Sequence, residues 1–84
     1  MYEVSKLTTE EKEKLAEGEL TDEDFLYNPI WHSLLCTFFD LRKTEGYYGK
    51  MAFICLLKLG GINEQYTTMI YNKIMRYSRN KGLI

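Results

Sequence analysis

The chain has a single histidine, a single proline, only two cysteines, and no apolar run approaching the length of a membrane span. Each scarcity removes a class of function. His32 falls at the edge of an apolar helical stripe, the ordinary place for a packing or hydrogen-bonding group. Cys36 follows one turn later, but a thiol nucleophile needs a positioned base, an orienting third group and an oxyanion site, and the sequence assigns none of these. Cys36 and Cys55 are too far apart for a zinc pattern or a disulfide framework, so free, mostly buried thiols in a reducing cytosol are expected. Gly46, Gly49, Gly60 and Gly61 lack the strand-before, helix-after setting of a phosphate-binding loop. The N-terminal stretch MYEVSKLTTEE is acidic, with no basic region leading into an apolar run, so no secretory signal is expected. Strand alternation, internal repeats, low-complexity stretches and linkers are all missing. No enzyme activity, cofactor, metal or membrane contact is therefore expected, and the cytoplasm is the expected compartment.

What is present is helix. Lys50–Leu59, KMAFICLLKL, is apolar almost all round, with only Lys50 and Lys58, and Ile54 between them, marking a narrow strip toward water. A bilayer needs roughly 20 apolar residues, so the segment cannot cross one. An all-round apolar helix calls for neighbours on every side, and this one is expected to be the centre of a small bundle.

The rest of the chain supplies those neighbours. Residues 1–7 alternate loosely and form either an extended arm or part of the first helix. Thr8 and Glu11 form a capping box, and Gly18 closes a charged helix whose only apolar anchors are Leu15 and Ala16. Thr21 starts a second, short helix, with Leu20 against Phe25 as a staple. Asn28-Pro29 ends it and opens the next, which runs to about Glu45 with Ile30, Trp31, Leu34, Leu35, Phe38, Phe39 and Leu41 on one face. After Gly46 and a short tyrosine turn the central helix returns antiparallel, placing Phe39 level with Phe53 and Cys36 level with Cys55. Gly60-Gly61 breaks it, and Asn63 caps a last helix to about Asn80 whose stripe is Tyr66, Ile70, Ile74 and Tyr77. The expected fold is all-α: one domain over residues 1–84, four to five helices around a central antiparallel hairpin. The acidic helices of 1–28 are less firmly packed than the core helices of 29–84. A domain of this size has an expected stability of about 4–13 kcal/mol.

Charge is unevenly spread. Residues 1–40 carry ten acidic and three basic side chains, whereas residues 41–84 carry two acidic and eight basic, although the net charge is only −1. Either the basic half is a binding surface or it pairs with the acidic half. Two functional expectations follow. The first is a small non-enzymatic protein that occupies a protein surface. Tyr, Trp, Met and Arg are enriched where proteins meet, and Tyr71, Asn72, Met75, Arg76 and Arg79 form an amphipathic patch on the last helix. Composition and size suit a phage or mobile-element accessory protein, such as an inhibitor of a host system. The surplus of large apolar side chains adds a homodimer as a further expectation.

The second expectation is nucleic-acid binding by a helix-turn-helix. Gly60-Gly61-Ile62-Asn63 is a tight interhelical turn, and Lys73, Arg76, Arg79 and Lys81 follow it. The stretch TMIYNKIMRYSRNKGLI, Thr68 to Ile84, resembles the recognition helix and exit of winged-helix repressors, which implies DNA or RNA as partner. The resemblance covers 17 of 84 residues and does not extend to the β-hairpin wing of that family.

Overall fold

The computed structural model describes residues 6–84 and contains five α-helices: α1 (Thr9–Glu17), α2 (Asp22–Tyr27), α3 (Pro29–Glu45), α4 (Gly49–Leu59) and α5 (Glu64–Asn80). A 3-10 turn, Gly46–Tyr48, joins α3 to α4. No strand occurs among the described residues. The expected arm at residues 1–7 lies, as far as residue 5, outside the described residues.

Local chemistry sets the boundaries. Thr8 and Glu11 close the capping box: the Glu11 carboxylate accepts from the Thr8 N–H at 3.0 Å and the Thr8 hydroxyl accepts from the Glu11 N–H at 3.2 Å. At α2 the Asp24 carboxylate accepts from both the Thr21 N–H and the Thr21 hydroxyl. Asn28 Oδ1 accepts from the Ile30 N–H at 3.0 Å, and Pro29 fills the first position of α3, where a missing N–H costs nothing. Gly61 turns the chain between α4 and α5 with φ of 86°, a backbone state that L side chains adopt at a cost.

The core is one cluster. Leu15 and Ala16 come from α1, Phe25 from α2, and Trp31, Leu34, Leu35 and Phe38 from α3. Phe53 and Leu57 come from α4, Ile62 from the following turn, and Ile70, Ile74 and Tyr77 from α5. Helix α3 packs on α2 and α4, while α5 packs on α1 and α4. Rings lock the assembly: Phe25 stacks on Tyr77 at 4.1 Å and meets Trp31 edge-on at 5.4 Å, and Phe38 meets Phe53 edge-on at 5.8 Å.

Two expectations are corrected. Helix α4 is not the enclosed centre. It buries only Gly49, Phe53 and Leu57, whereas α5 buries Thr67, Ile70, Ile74, Tyr77 and Ser78. Met51 and Leu59 remain 66% and 83% exposed, and Leu56 is half-buried. The physical reason is supply. Helices α1 and α2 pack against α5 and α3, so nothing is left to cover the outer side of α4. Across the hairpin it is Phe38, next to Phe39, whose ring meets Phe53. Finally, Cys36 and Cys55 are free, as expected, but exposed rather than buried. Turning Phe53 and Leu57 inward necessarily turns Cys55 outward.

Candidate functional site

Helix α5 has two polar flanks, which the fold treats differently. On the flank toward the N-terminal helices, the Lys73 ammonium donates to the Gly18 carbonyl at 2.9 Å, and Lys81 pairs with Asp22 at 2.8 Å. A hollow of about 400 Å³ on this side is lined by Glu17, Glu19 and Asp22 together with Lys73 and Arg76, so acidic and basic groups are mixed. Asp22 holds the Lys81 ammonium above its ordinary pKa, first by hydrogen bonding and then by its charge. Hydrogen bonding to the Glu17 carboxylate likewise raises the Tyr66 phenol.

The adjoining flank is a groove of about 640 Å³ between α4 and α5, lined by Lys50, Tyr71, Asn72, Met75, Arg76, Arg79 and Asn80, with Arg76 and Asn80 on the border it shares with the hollow. Its α5 wall consists of two neighbouring rows at helical spacing, Tyr71-Met75-Arg79 and Asn72-Arg76-Asn80. The lining therefore holds three cations and no carboxylate. Among the described residues, Arg76 and Arg79 form no ion pair.

Tyr71 is the hinge between groove and core. It is half-buried, meeting Phe38 edge-on at 5.7 Å and Phe53 at 6.4 Å. The Lys50 ammonium lies 5.1 Å from its ring centroid, within cation–π range. Ring surface is thus occupied from several directions. Met75 is half-buried against the same core, while Asn72, Arg76 and Arg79 are exposed.

The residues singled out from the sequence consequently fall into two groups. Tyr71, Asn72, Met75, Arg76 and Arg79 all line one groove, and Lys50 and Asn80 join them. Lys50 escaped the sequence reading because it lies on a different helix, and only the α4–α5 packing brings it across. The nucleic-acid set is divided: Arg76 and Arg79 face the groove, but Lys73 and Lys81 are engaged with the α1–α2 segment. The first turn of α5, where a recognition helix would read bases, carries Glu64, which Lys58 holds at 3.1 Å.

His32 and Cys36 also meet. The His32 Nδ1 lies 3.1 Å from the Phe25 carbonyl and so carries the proton, leaving Nε2, 3.7 Å from the Cys36 sulfur, as acceptor for the thiol. The His32 contact with the Phe25 carbonyl ties α3 to α2, and neither His32 nor Cys36 lines the groove. No group of three or more His, Cys, Asp or Glu placed to hold a metal ion occurs among the described residues, and no helix there is long and apolar enough to cross a membrane. Neither a protein-family model, nor a curated protein, nor a solved structure matches the chain.

Proposed function

We propose that the protein is a small binding module that docks an acidic segment of a partner protein into the α4–α5 groove. The observation that carries this reading is the convergence of Lys50, Arg76 and Arg79 on one concave surface without a single carboxylate. Uncompensated cations on a rigid helix attract carboxylates, and Arg in particular offers them bidentate hydrogen bonds. Tyr71 and Met75 supply an apolar floor beside those charges, the mixed character found at protein–protein contacts. A module that blocks an acidic surface of a host factor would act in this way.

Nucleic acid is the second reading, favoured by the same cations. Two features weigh against it. Single-strand binding relies on bases stacking on open aromatic faces, and Lys50, Phe38 and Phe53 already surround the Tyr71 ring. A helix-turn-helix would also need its basic residues on one exposed face, whereas Lys73 and Lys81 are engaged elsewhere.

A fluorescent Glu-rich peptide carrying a few apolar residues and a DNA oligonucleotide of equal charge distinguish the two. The peptide is expected to bind at physiological salt and the DNA not to. Arg76→Gln with Arg79→Gln should weaken peptide binding at least about tenfold, with an unchanged thermal melt. DNA binding tighter than the peptide, with a salt slope near −2 that the double variant abolishes, would establish the nucleic-acid reading instead.

A further inference from the structure

The outer face of α4 is the least ordinary surface of the molecule. Met51, Cys55 and Leu59 follow one another at four-residue spacing on the side turned away from Phe53 and Leu57, and all three are exposed. Tyr48 and Tyr47 extend the face at its N-terminal end, 63% and 93% exposed, with their rings edge to face at 5.3 Å. Together these side chains present on the order of 600 Å² per copy, at the upper limit of what a monomer ordinarily shows.

We infer that this face pairs with the same face of a second copy, the two α4 helices running antiparallel about a two-fold axis at Cys55. Several observations select a second copy as the occupant. The row is self-complementary: Met51 and Leu59 stand four residues either side of Cys55, so antiparallel pairing sets Met51 against the other copy's Leu59 in both directions. The lysine beside the row is neutralised within each copy, since Lys58 is held by Glu64 at 3.1 Å. Area agrees: covering both faces removes somewhat more than the about 1,000 Å² that a specific interface needs.

The groove residues Arg76 and Arg79 stand on α5, outside this row, so pairing and acidic-peptide binding are separable. Sedimentation of the full chain across micromolar concentrations is expected to show a species of twice the 10.0 kDa chain mass. Met51→Gln with Leu59→Gln should weaken association on the order of a hundredfold while leaving the melt of the dilute monomer and peptide binding unchanged. Position is read by cross-linking with a short bismaleimide. A Cys36→Ser chain, reacting only through Cys55, should give covalent dimer in high yield, and a Cys55→Ser chain, reacting through Cys36, should give little. A monomer throughout the concentration range overturns the inference. So does a dimer indifferent to the double glutamine variant, or one cross-linked as well through Cys36 as through Cys55.

Discussion

Individual side chains in α5 divide sharply between packing and surface. Tyr71 belongs to both, so truncating it would disturb Phe38 and Phe53 as well as the groove; Arg76 and Arg79, which are exposed, are the cleaner probes. Thr67 and Ser78 are the two fully buried polar residues among those described, and they fare differently. Thr67 donates its hydroxyl to the Glu64 carbonyl at 2.6 Å. The Ser78 hydroxyl has no hydrogen-bond partner among the described residues, which leaves it desolvated without compensation. Ser78→Ala removes that burden and introduces a better helix former in one step. It should raise stability by about 1 kcal/mol, seen as a higher urea midpoint with an unchanged slope. A loss of stability would mean that the hydroxyl is satisfied after all.

Helix α4 shows how one element can be strongly apolar and still lie at the surface. Phe53 and Leu57 are fully buried, while Met51, Cys55 and Leu59 face outward. Leucines two residues apart should therefore respond differently to the same change. Leu57→Ala leaves a cavity among packed neighbours and should cost about 2–5 kcal/mol. Leu59→Ala, measured on the monomer in dilute urea melts, should stay within about 0.5 kcal/mol of the parent. Equal losses at the two positions would restore the enclosed helix that the sequence suggested. Gly49 contributes at the other end of the element. It is buried, and a Cβ there would stand 3.2 Å from the backbone of Arg42, so the absence of a side chain lets α4 start close against α3.

At the scale of the whole molecule, charge asymmetry fastens the N-terminal helices to α5 and leaves a remainder. Lys73 and Lys81 from the basic half hold Gly18 and Asp22 of the acidic half, and Tyr66 joins them through Glu17. Lys50, Arg76 and Arg79 are among the cations left without a carboxylate, and they line the groove. The fastening has a predictable pH dependence. Both Lys81 and Tyr66 have raised pKa values in the folded chain, chiefly from their hydrogen bonds to Asp22 and Glu17. A raised value means that the stabilisation is complete below the unfolded-state pKa and disappears as pH climbs through the folded-state pKa. Stability should therefore fall in the alkaline range, between about pH 9 and about pH 11. Urea melts at those two limits should show a smaller drop for Lys81→Gln than for the parent. An identical drop would assign the alkaline loss to other groups.

Much of the architecture was legible because it depends on signals within a few residues of one another. The Thr8–Glu11 box, the Asn28-Pro29 junction, the Gly46 stop and the Gly60-Gly61 break all act through local hydrogen bonds and local dihedral limits. They placed all five helices, with the start of α4 within one residue. The grouping of Tyr71, Asn72, Met75, Arg76 and Arg79 was equally accessible, since helical periodicity alone puts them on adjacent rows. Rotation and partnership were not accessible. Which side of α4 faces inward depends on how many helices surround it, and a segment apolar on nearly every side reads the same whether its outer face is covered or bare. The division of the lysines and arginines has the same origin. Lys73, Arg76, Arg79 and Lys81 look alike along the chain, and only the packing of α1 and α2 against α5 and α3 decides which of them find a carbonyl or carboxylate. The tertiary structure decided these points because each depends on atoms brought together from distant parts of the chain.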